Sequence, residues 1–343
     1  MKTFIRDYDL PALSAPAYRQ YFGGLVPCVY DIETSGLSGN TSKVILTALL
    51  VPTDCGVRVT QFLAEDHFEE DQVLIATLAL LREQSVDYLV TYNGHSFDVP
   101  FTNQRLDALC LSGALDLYDL DLYRFLKRRT VLPDELDSMR QKSVEAYYGI
   151  ASWRKDTISG RESVSLYNQY ALNGSGMLEK VILTHNREDV LQLYRLLLLT
   201  SQGDFAAILK SGDLHESMAS YGFPACGGRY TVRTGIRSDA LRITGRQHGE
   251  PISRVVFADS GHAVSAEFKR ATASFEVSLP LYKYGNSLYA APQELGLSAV
   301  PDGLQSLPGY INGYLILKED GTIRYEDVNA LSEMILTDLT APY

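Results

Sequence analysis

Cysteine is scarce in this chain. Cys28, Cys55, Cys110 and Cys226 stand far apart and no two form a CxxC pair, so neither a zinc knuckle nor a redox dithiol is on offer. Cys28 and Cys110 sit in apolar stretches and read as reduced, buried thiols. Long hydrophobic runs are also missing. No apolar stretch reaches the roughly 18 residues of a membrane span, and the opening MKTFIRDYDLPALSAPAYRQYF lacks the apolar core of a secretory signal. A cytoplasmic protein with no membrane partner is the expectation. Positive charge is the third shortage: 31 Lys and Arg face 42 Asp and Glu, a net −11. That deficit argues against broad, non-specific attachment to phosphate backbones, but a hydrolytic site built from clustered carboxylates is compatible with it. At 343 residues the chain is long for one hydrophobic core, and two domains are the default.

What is present reads as two regions of different character. Residues 1–24 mix Pro, Ala and aromatics and read as a partly helical lead-in. VPCVYDIETSGL, KVILTALLVP and VRVTQFLA are apolar, β-branched runs at short spacing, which suggests an antiparallel meander. EEDQVLIATLALLREQ follows with helical spacing and acids in its first turn. DYLVTYNG is strand-like, FDVPFTNQRLDALCL helical, and ALDLYDLDLYRFLKRR a short strand running into a basic helix. LDSMRQKSVEAYYG reads as a helix, WRKDTISGRESVSLYNQYAL as a polar stretch, and Met177 to Thr200 as one long helix. The order predicts an α/β domain over 25–202, a mixed sheet covered by helices. Residues 203–226 read as a linker. Alternating runs such as DALRITGRQ, AVSAEFKRA and ASFEVSLPLYKYG then predict a smaller antiparallel β-rich domain over 227–343, closed by a helix at YEDVNALSEMILTDL. Its role stays open.

Three acidic features stand out in the first region. Asp31 and Glu33 end the first apolar strand, and period-2 geometry places both on one face; a solvated strand end is the alternative. Asp98 follows a strand and opens a helix, where it can equally serve as an N-cap worth on the order of 1 kcal/mol. His185 and Asp189 are four apart on the long helix and share a face, as a structural polar pair or as a base beside a metal ligand. Taken together, convergent carboxylates suit two hard divalent cations and phosphodiester hydrolysis.

In order and spacing these segments resemble the DEDD exonuclease superfamily of ribonuclease-H-like proteins. The matching residues are Asp31-Ile32-Glu33, Asn93-Gly94-His95-Ser96-Phe97-Asp98 and His185-Asn186-Arg187-Glu188-Asp189. DIETSGL, LVTYNGHSFDVPF and HNREDVLQLYRL are similar, more narrowly, to the bacterial YprB-type domain, over about residues 25–200. The resemblance implies a ribonuclease-H-like sheet, two Mg²⁺ or Mn²⁺, and 3′→5′ exonuclease action on single-stranded DNA or RNA. It implies that Asp31 bridges both metals, that Glu33 and Asp189 complete the first site, that Asp98 acts at the second, and that His185 is the general base. Thr34, Leu37, Asn93 and Phe97 would lie near the terminal nucleotide. One departure stands out. The better-known subgroups carry Tyr three residues' gap before the last Asp, or His with a four-residue gap, whereas this chain has HxxxD, so neither subgroup's substrate preference carries over.

Two basic runs are candidate substrate surfaces. Residues 120–161 hold nine Lys and Arg, Arg140 and Arg154 among them, against six acids, with Tyr147, Tyr148 and Trp153 interleaved. That mixture suits stacking on single-stranded bases or an ordinary solvated helix face. Arg229, Arg233, Arg237, Arg242 and Arg246 face only Asp239. Two rival readings stay open: a nucleic-acid-binding or scaffold protein with a degenerate nuclease fold, and a structure-selective endonuclease.

Overall fold

The computed structural model describes residues 1–156, 158–200, 203–259, 263–295 and 302–341. Its contacts divide the chain into two units, Met1–Lys210 and Ser211–Tyr343. In chain order the first holds β1 (Lys2–Tyr8), α1 (Pro16–Phe22), β2 (Pro27–Thr34), β3 (Val44–Thr53), β4 (Gly56–Leu63), α2 (Glu70–Glu83), β5 (Tyr88–Thr91), α3 (Asp98–Ala108) and β6 (Tyr118–Asp121). It continues with α4 (Leu122–Arg129), α5 (Leu132–Glu135), α6 (Gln141–Tyr147), α7 (Gly160–Asn173) and α8 (Gly176–Thr200).

The expected meander is there. β2, β3 and β4 pair antiparallel, while β5 and β6 add parallel to β2 through helical crossovers, giving the order β1-β4-β3-β2-β5-β6. Strand β3 is buried from Val44 to Val51, as a strand covered on both faces must be. One face carries Cys28, Tyr30 and Ile32 into a core with Val73, Leu74 and Leu78 of α2 and Phe101 and Leu106 of α3. The other packs Ile45, Leu46 and Leu63 against Tyr167 and Tyr170 of α7 and Ile182 and Leu183 of α8. This is the ribonuclease-H-like α/β layout: a mixed sheet between helices.

Three local readings change. Residues 1–24, expected as a partly helical lead-in, hold α1 and also an unexpected strand, since β1 pairs antiparallel with β4 from Lys2↔Leu63 to Tyr8↔Val57. As an edge strand it is mostly exposed, so its ladder bonds hold it and no apolar alternation announces it. The polar stretch after Trp153 contains helix α7. Ser159 and Glu162 form a reciprocal capping box at its start, and Gly174 ends it in the left-handed conformation, which glycine adopts without strain. Cys28 is buried as expected, whereas Cys110 is exposed just beyond α3, at φ 52°.

The second unit begins earlier than its alternating runs suggest. Of residues 203–226, read as a linker, the 3₁₀ segment Gly203–Ile208 belongs to the first unit, while helix α9 (Leu214–Tyr221) and strand β7 (Phe223–Ala225) belong to the second. Asp213 caps α9 by accepting from the His215 N–H. Then come β8 (Tyr230–Arg237), β9 (Ala240–Gln247), β10 (Arg254–Val256), β11 (Ser265–Lys269) and β12 (Ser274–Pro280), in an antiparallel sheet ordered β10-β11-β12-β9-β8-β7. A second antiparallel sheet comprises β13 (Tyr282–Tyr284), β14 (Ser287–Ala290), β15 (Tyr310–Ile311), β16 (Tyr314–Glu319) and β17 (Thr322–Ile323). The terminal helix is Tyr325–Thr340. No helix of the described residues is long and apolar enough to cross a membrane.

Candidate active site

The site begins with β2's alternation. Because Tyr30 and Ile32 point into the α2 and α3 core, Asp31 and Glu33 point to the opposite face, toward α8. Asp31 Oδ2 accepts a hydrogen bond from Asn186 Nδ2 at 2.8 Å. Asn186 is itself held by Gln61 Nε2 of β4, which donates to its Oδ1 at 2.8 Å and to the Leu183 carbonyl at 3.0 Å. Asn186 and Gln61 are both buried, so an amide relay fixes Asp31. Neither was picked out from sequence. Asn186 lies three residues before Asp189, so the same-face rule that paired His185 with Asp189 could have found it.

Asp98 arrives on the turn between β5 and α3. Asn93 is left-handed at φ 68°, a conformation Asn tolerates, and a Cβ on Gly94 would overlap the Thr91 side chain. The buried Asp121 carboxylate ties this turn down, accepting from the N–H groups of Asn93 at 2.8 Å and His95 at 3.3 Å while capping α4 through the Arg124 N–H. The helix N-cap is Phe97, without a side-chain bond. Asp98 is therefore the first helical residue and not the cap. Its Oδ1 instead accepts the Ile32 N–H at 3.2 Å, which draws it to the end of β2.

Helix α8 packs over β2 and β3 and brings His185 and Asp189. His185 Nε2 lies 3.6 Å from Glu33 Oε1, and Nδ1 lies 2.8 Å from Asp156 Oδ2 and 3.6 Å from Asp189 Oδ2. Burial alone would raise Asp156, but the hydrogen bonds from His185 and Arg154 outweigh it and hold the carboxyl well below its usual range. An ionised Asp156 accepts a hydrogen bond from Nδ1–H, which leaves Nε2, in the neutral ring, as the basic nitrogen. Asp156 counted in the sequence only as one of the six acids of the first basic run, because it lies 29 residues from His185. Arg154 is a correction. Read as part of a substrate-facing strip or a solvated helix face, its side chain is only 6% exposed, with its Nη1 2.8 Å from Asp156 and 2.7 Å from Asp189 while Glu145 accepts from Nε and Nη2 at 2.9 and 2.6 Å.

The architecture and these positions can now be set beside known proteins. The model of the RNase_H_2 family, described as RNase_H superfamily, matches residues 28–200, just over half of the chain. The protein belongs to the RNase H superfamily. Among solved structures, the family B DNA polymerase of the hyperthermophilic archaeon Pyrobaculum calidifontis is similar at 18% identity and a TM-score of 0.42. The match covers 71% of this chain and 34% of the polymerase, so the chain spans about a third of that protein's length. No curated protein matches.

In this RNase H superfamily member the acidic residues lie close enough to repel one another. Burial, and then the charges of Asp189, Asp98 and Glu33, raise Asp31 well above the usual carboxylate range. Burial likewise pushes Glu33 up to about 7 against the opposing pull of His185, and Asp98 up to about 7. Asp189 is raised by burial, with His185 and Arg154 pulling it back. Burial lowers His185, but the Asp156 hydrogen bond and the neighbouring carboxylates leave it raised overall. Glu33, His185 and Asp189 offer ligand atoms all within 4.8 Å of one another. Carboxylate oxygens that burial and mutual repulsion disfavour as anions suit a hard divalent cation, and RNase H-like nucleases generally use such metals.

The expected nucleotide-contact residues are spread more unevenly. Thr34 is buried and donates its hydroxyl to the Gly36 carbonyl at 2.7 Å, shaping the turn after β2. Leu37 sits on that turn, 89% exposed. Phe97 is partly buried, its ring tilted against that of Phe101 at 5.4 Å beside the α2–α3 core. Asn93 lines a groove of about 430 Å³ together with Tyr92, Tyr123, Arg140 and Gln141. Gln141 Nε2 donates to the Asp189 backbone carbonyl at 3.0 Å, which ties the groove wall to helix α8. Of the interleaved aromatics, Trp153 and Tyr147 are exposed, and the Arg195 guanidinium lies 5.6 Å from the Trp153 ring centre.

Proposed function

We propose that this RNase H superfamily member is a divalent-metal-dependent nuclease of the DEDD type, hydrolysing single-stranded DNA or RNA from the 3′ end. The observation that carries the reading is the convergence of buried Glu33 and Asp98 with half-buried Asp31 and Asp189, of which, among the described residues, only Asp189 is paired with an arginine. A buried charge left without a partner is expensive, and a bound cation removes that expense. Asp31, Glu33, Asp98 and Asp189 would hold two Mg²⁺ or Mn²⁺. Such ions, when bound, lower the pKa of a water and stabilise a leaving oxygen.

The protein's own groups supply the rest. His185 Nε2 accepts a proton from the attacking water, with its ring oriented by Asp156, as general-base catalysis requires. Tyr92, Tyr123, Arg140 and Gln141 offer aromatic faces and a cation to a strand entering the groove beside Asp189, a pairing that suits unpaired bases. The exonucleolytic mode and the direction rest on the resemblance of the three acidic motifs to DEDD exonucleases, and the YprB-type subgroup on DIETSGL, LVTYNGHSFDVPF and HNREDVLQLYRL.

The test is a magnesium-dependent assay on 5′- and 3′-labelled DNA and RNA, single- and double-stranded, with a circular single strand alongside. Progressive shortening from the 3′ end of linear single strands, lost in Asp31→Ala and Asp189→Ala, is the expected result. Cleavage of the circle would move the protein to an endonuclease. Metal-independent binding with no turnover of any substrate would make it a degenerate nuclease.

A further inference from the structure

The second unit carries a basic face that the nuclease reading does not absorb. Residues 211–343 hold 11 Lys and Arg against 15 Asp and Glu, a net −4, yet the outer side of the β8–β9 hairpin is arginine-rich. Val232, Leu241 and Ile243 are buried on the inner side, so alternation turns Arg233, Arg237, Arg242 and Arg246 outward. The register sets Arg233 opposite Thr244 and Gly235 opposite Arg242. The hairpin turns through Ser238 and Asp239, both left-handed at φ 50° and 56°. Asp239, the acid in this run, lies 4.0 Å from Lys283 Nζ, which offsets its charge.

Arg233, Arg237 and Arg242 line one groove of about 610 Å³ with Ser220 of α9, Thr244 of β9 and a single carboxylate, Glu276 of β12. Arg233 is aimed by its Nε, which donates to the Tyr221 carbonyl at 3.1 Å. Arg242 Nη1 lies 2.7 Å from Glu276 Oε1 in a pair about half exposed on each side, a surface ion pair worth little and easily exchanged for another anion. Planar guanidinium forks match phosphate oxygens. None of the lining residues is aromatic, so the groove has cations for a backbone and no platform for bases.

We infer that this groove binds the phosphodiester backbone of single-stranded nucleic acid without reading its sequence, as a second contact for the substrate of the first unit. The choice of nucleic acid over another polyanion rests on the nuclease reading; the phosphate chemistry rests on the groove itself. The experiment uses the full chain in EDTA and follows the fluorescence anisotropy of a labelled oligothymidylate against salt. Three lost phosphate contacts flatten the logarithmic salt slope by about 2, so between about 50 and 200 mM salt the wild type loses roughly 20-fold more affinity than Arg233→Ala/Arg237→Ala/Arg242→Ala. The matching triple lysine variant keeps the wild-type slope, since it keeps the charges.

An unchanged slope and affinity in the alanine variant would overturn the inference. So would equal competition by polyglutamate, which would make the groove an acidic-peptide site. Turnover is scored separately. A wild type that binds through these arginines but never hydrolyses would end the nuclease reading and leave the groove standing, whereas a wild type that hydrolyses and binds unchanged without them would do the reverse.

Discussion

The two faces of the six-stranded sheet bury glutamates in opposite ways. On the α2–α3 side, Glu70 accepts from Arg105 Nε and Nη2, both at 2.8 Å, and from the Val44 N–H at 2.8 Å. Arg105 completes its own needs on the Gly39 carbonyl. On the α7–α8 side, Glu33 is as deeply buried but faces a histidine at 3.6 Å and three more carboxylates. The chain supplies its own counter-charge at Glu70 and withholds it at Glu33. An acid whose partner is encoded holds the fold together; an acid whose partner is missing is set up for a cation from outside. Glu145, gripped by Arg154, belongs to the first kind although it lies next to the site.

This contrast can be broken most directly at its two poles. Glu33→Gln should lower hydrolysis on the order of 10³-fold or more, and should leave unfolding in EDTA unchanged or shifted to higher temperature, because a charge disfavoured by burial is gone. Wild-type turnover, or a clear loss of metal-free stability, would put Glu33 among the structural acids. Glu70→Gln should do the opposite. It strands a buried guanidinium, which costs about 3–5 kcal/mol, readable in denaturant unfolding, while the stabilisation conferred by Mn²⁺ survives. If Glu70→Gln abolishes that metal effect, the two faces are not separate in function.

Asp156 tests the link between them, as an encoded partner that serves the base. Asp156→Asn keeps the shape but weakens the hold on His185 Nδ1, and should lower kcat by roughly 10²-fold with KM little changed. Asp156→Glu should recover part of the loss. An equal rise in KM with unchanged kcat would show that Asp156 serves substrate binding instead.

How far this could be read beforehand follows from the range of each interaction. Asp31 and Glu33 were legible because an apolar strand has period 2, and His185 with Asp189 because a helix repeats every four residues; both are local rules. Asp98 was legible as a position but not in its partner, since the Ile32 N–H lies 66 residues away. Arg154 misled because a count of charges along the chain cannot see that Glu145, Asp156 and Asp189 surround it in space. Helix α7 could have been found from Ser159 and Glu162, whose capping box is a four-residue signal. β1 could not, since an edge strand is held by ladder bonds to β4 and needs no apolar face. In the second unit the alternation of β9, β11 and β12 was plain, whereas β15 and β17, two residues each, are too short to carry a period.

The smallest expected effect concerns pH, and it separates acids that await a metal from one that does not. Burial pushes Glu33 and Asp98 up to about 7, and Asp119 of β6 up to about 8. Unfolded carboxyls ionise near pH 4. Between pH 4 and these raised values the folded chain therefore holds more protons than the unfolded one. Their stabilising effect is complete below pH 4 and is lost as pH rises through 7 and 8. Without metal the melting temperature should fall as pH rises across this window. Mn²⁺ should reverse most of that fall and release protons on binding, seen by calorimetry in buffers of different ionisation enthalpy. Asp119 accepts from the Thr91 hydroxyl at 2.8 Å and stands outside the proposed ligand set, so its share should persist in saturating Mn²⁺ and disappear in Asp119→Asn. A fall that Mn²⁺ abolishes completely, in the wild type as in Asp119→Asn, would add Asp119 to the acids that await a cation.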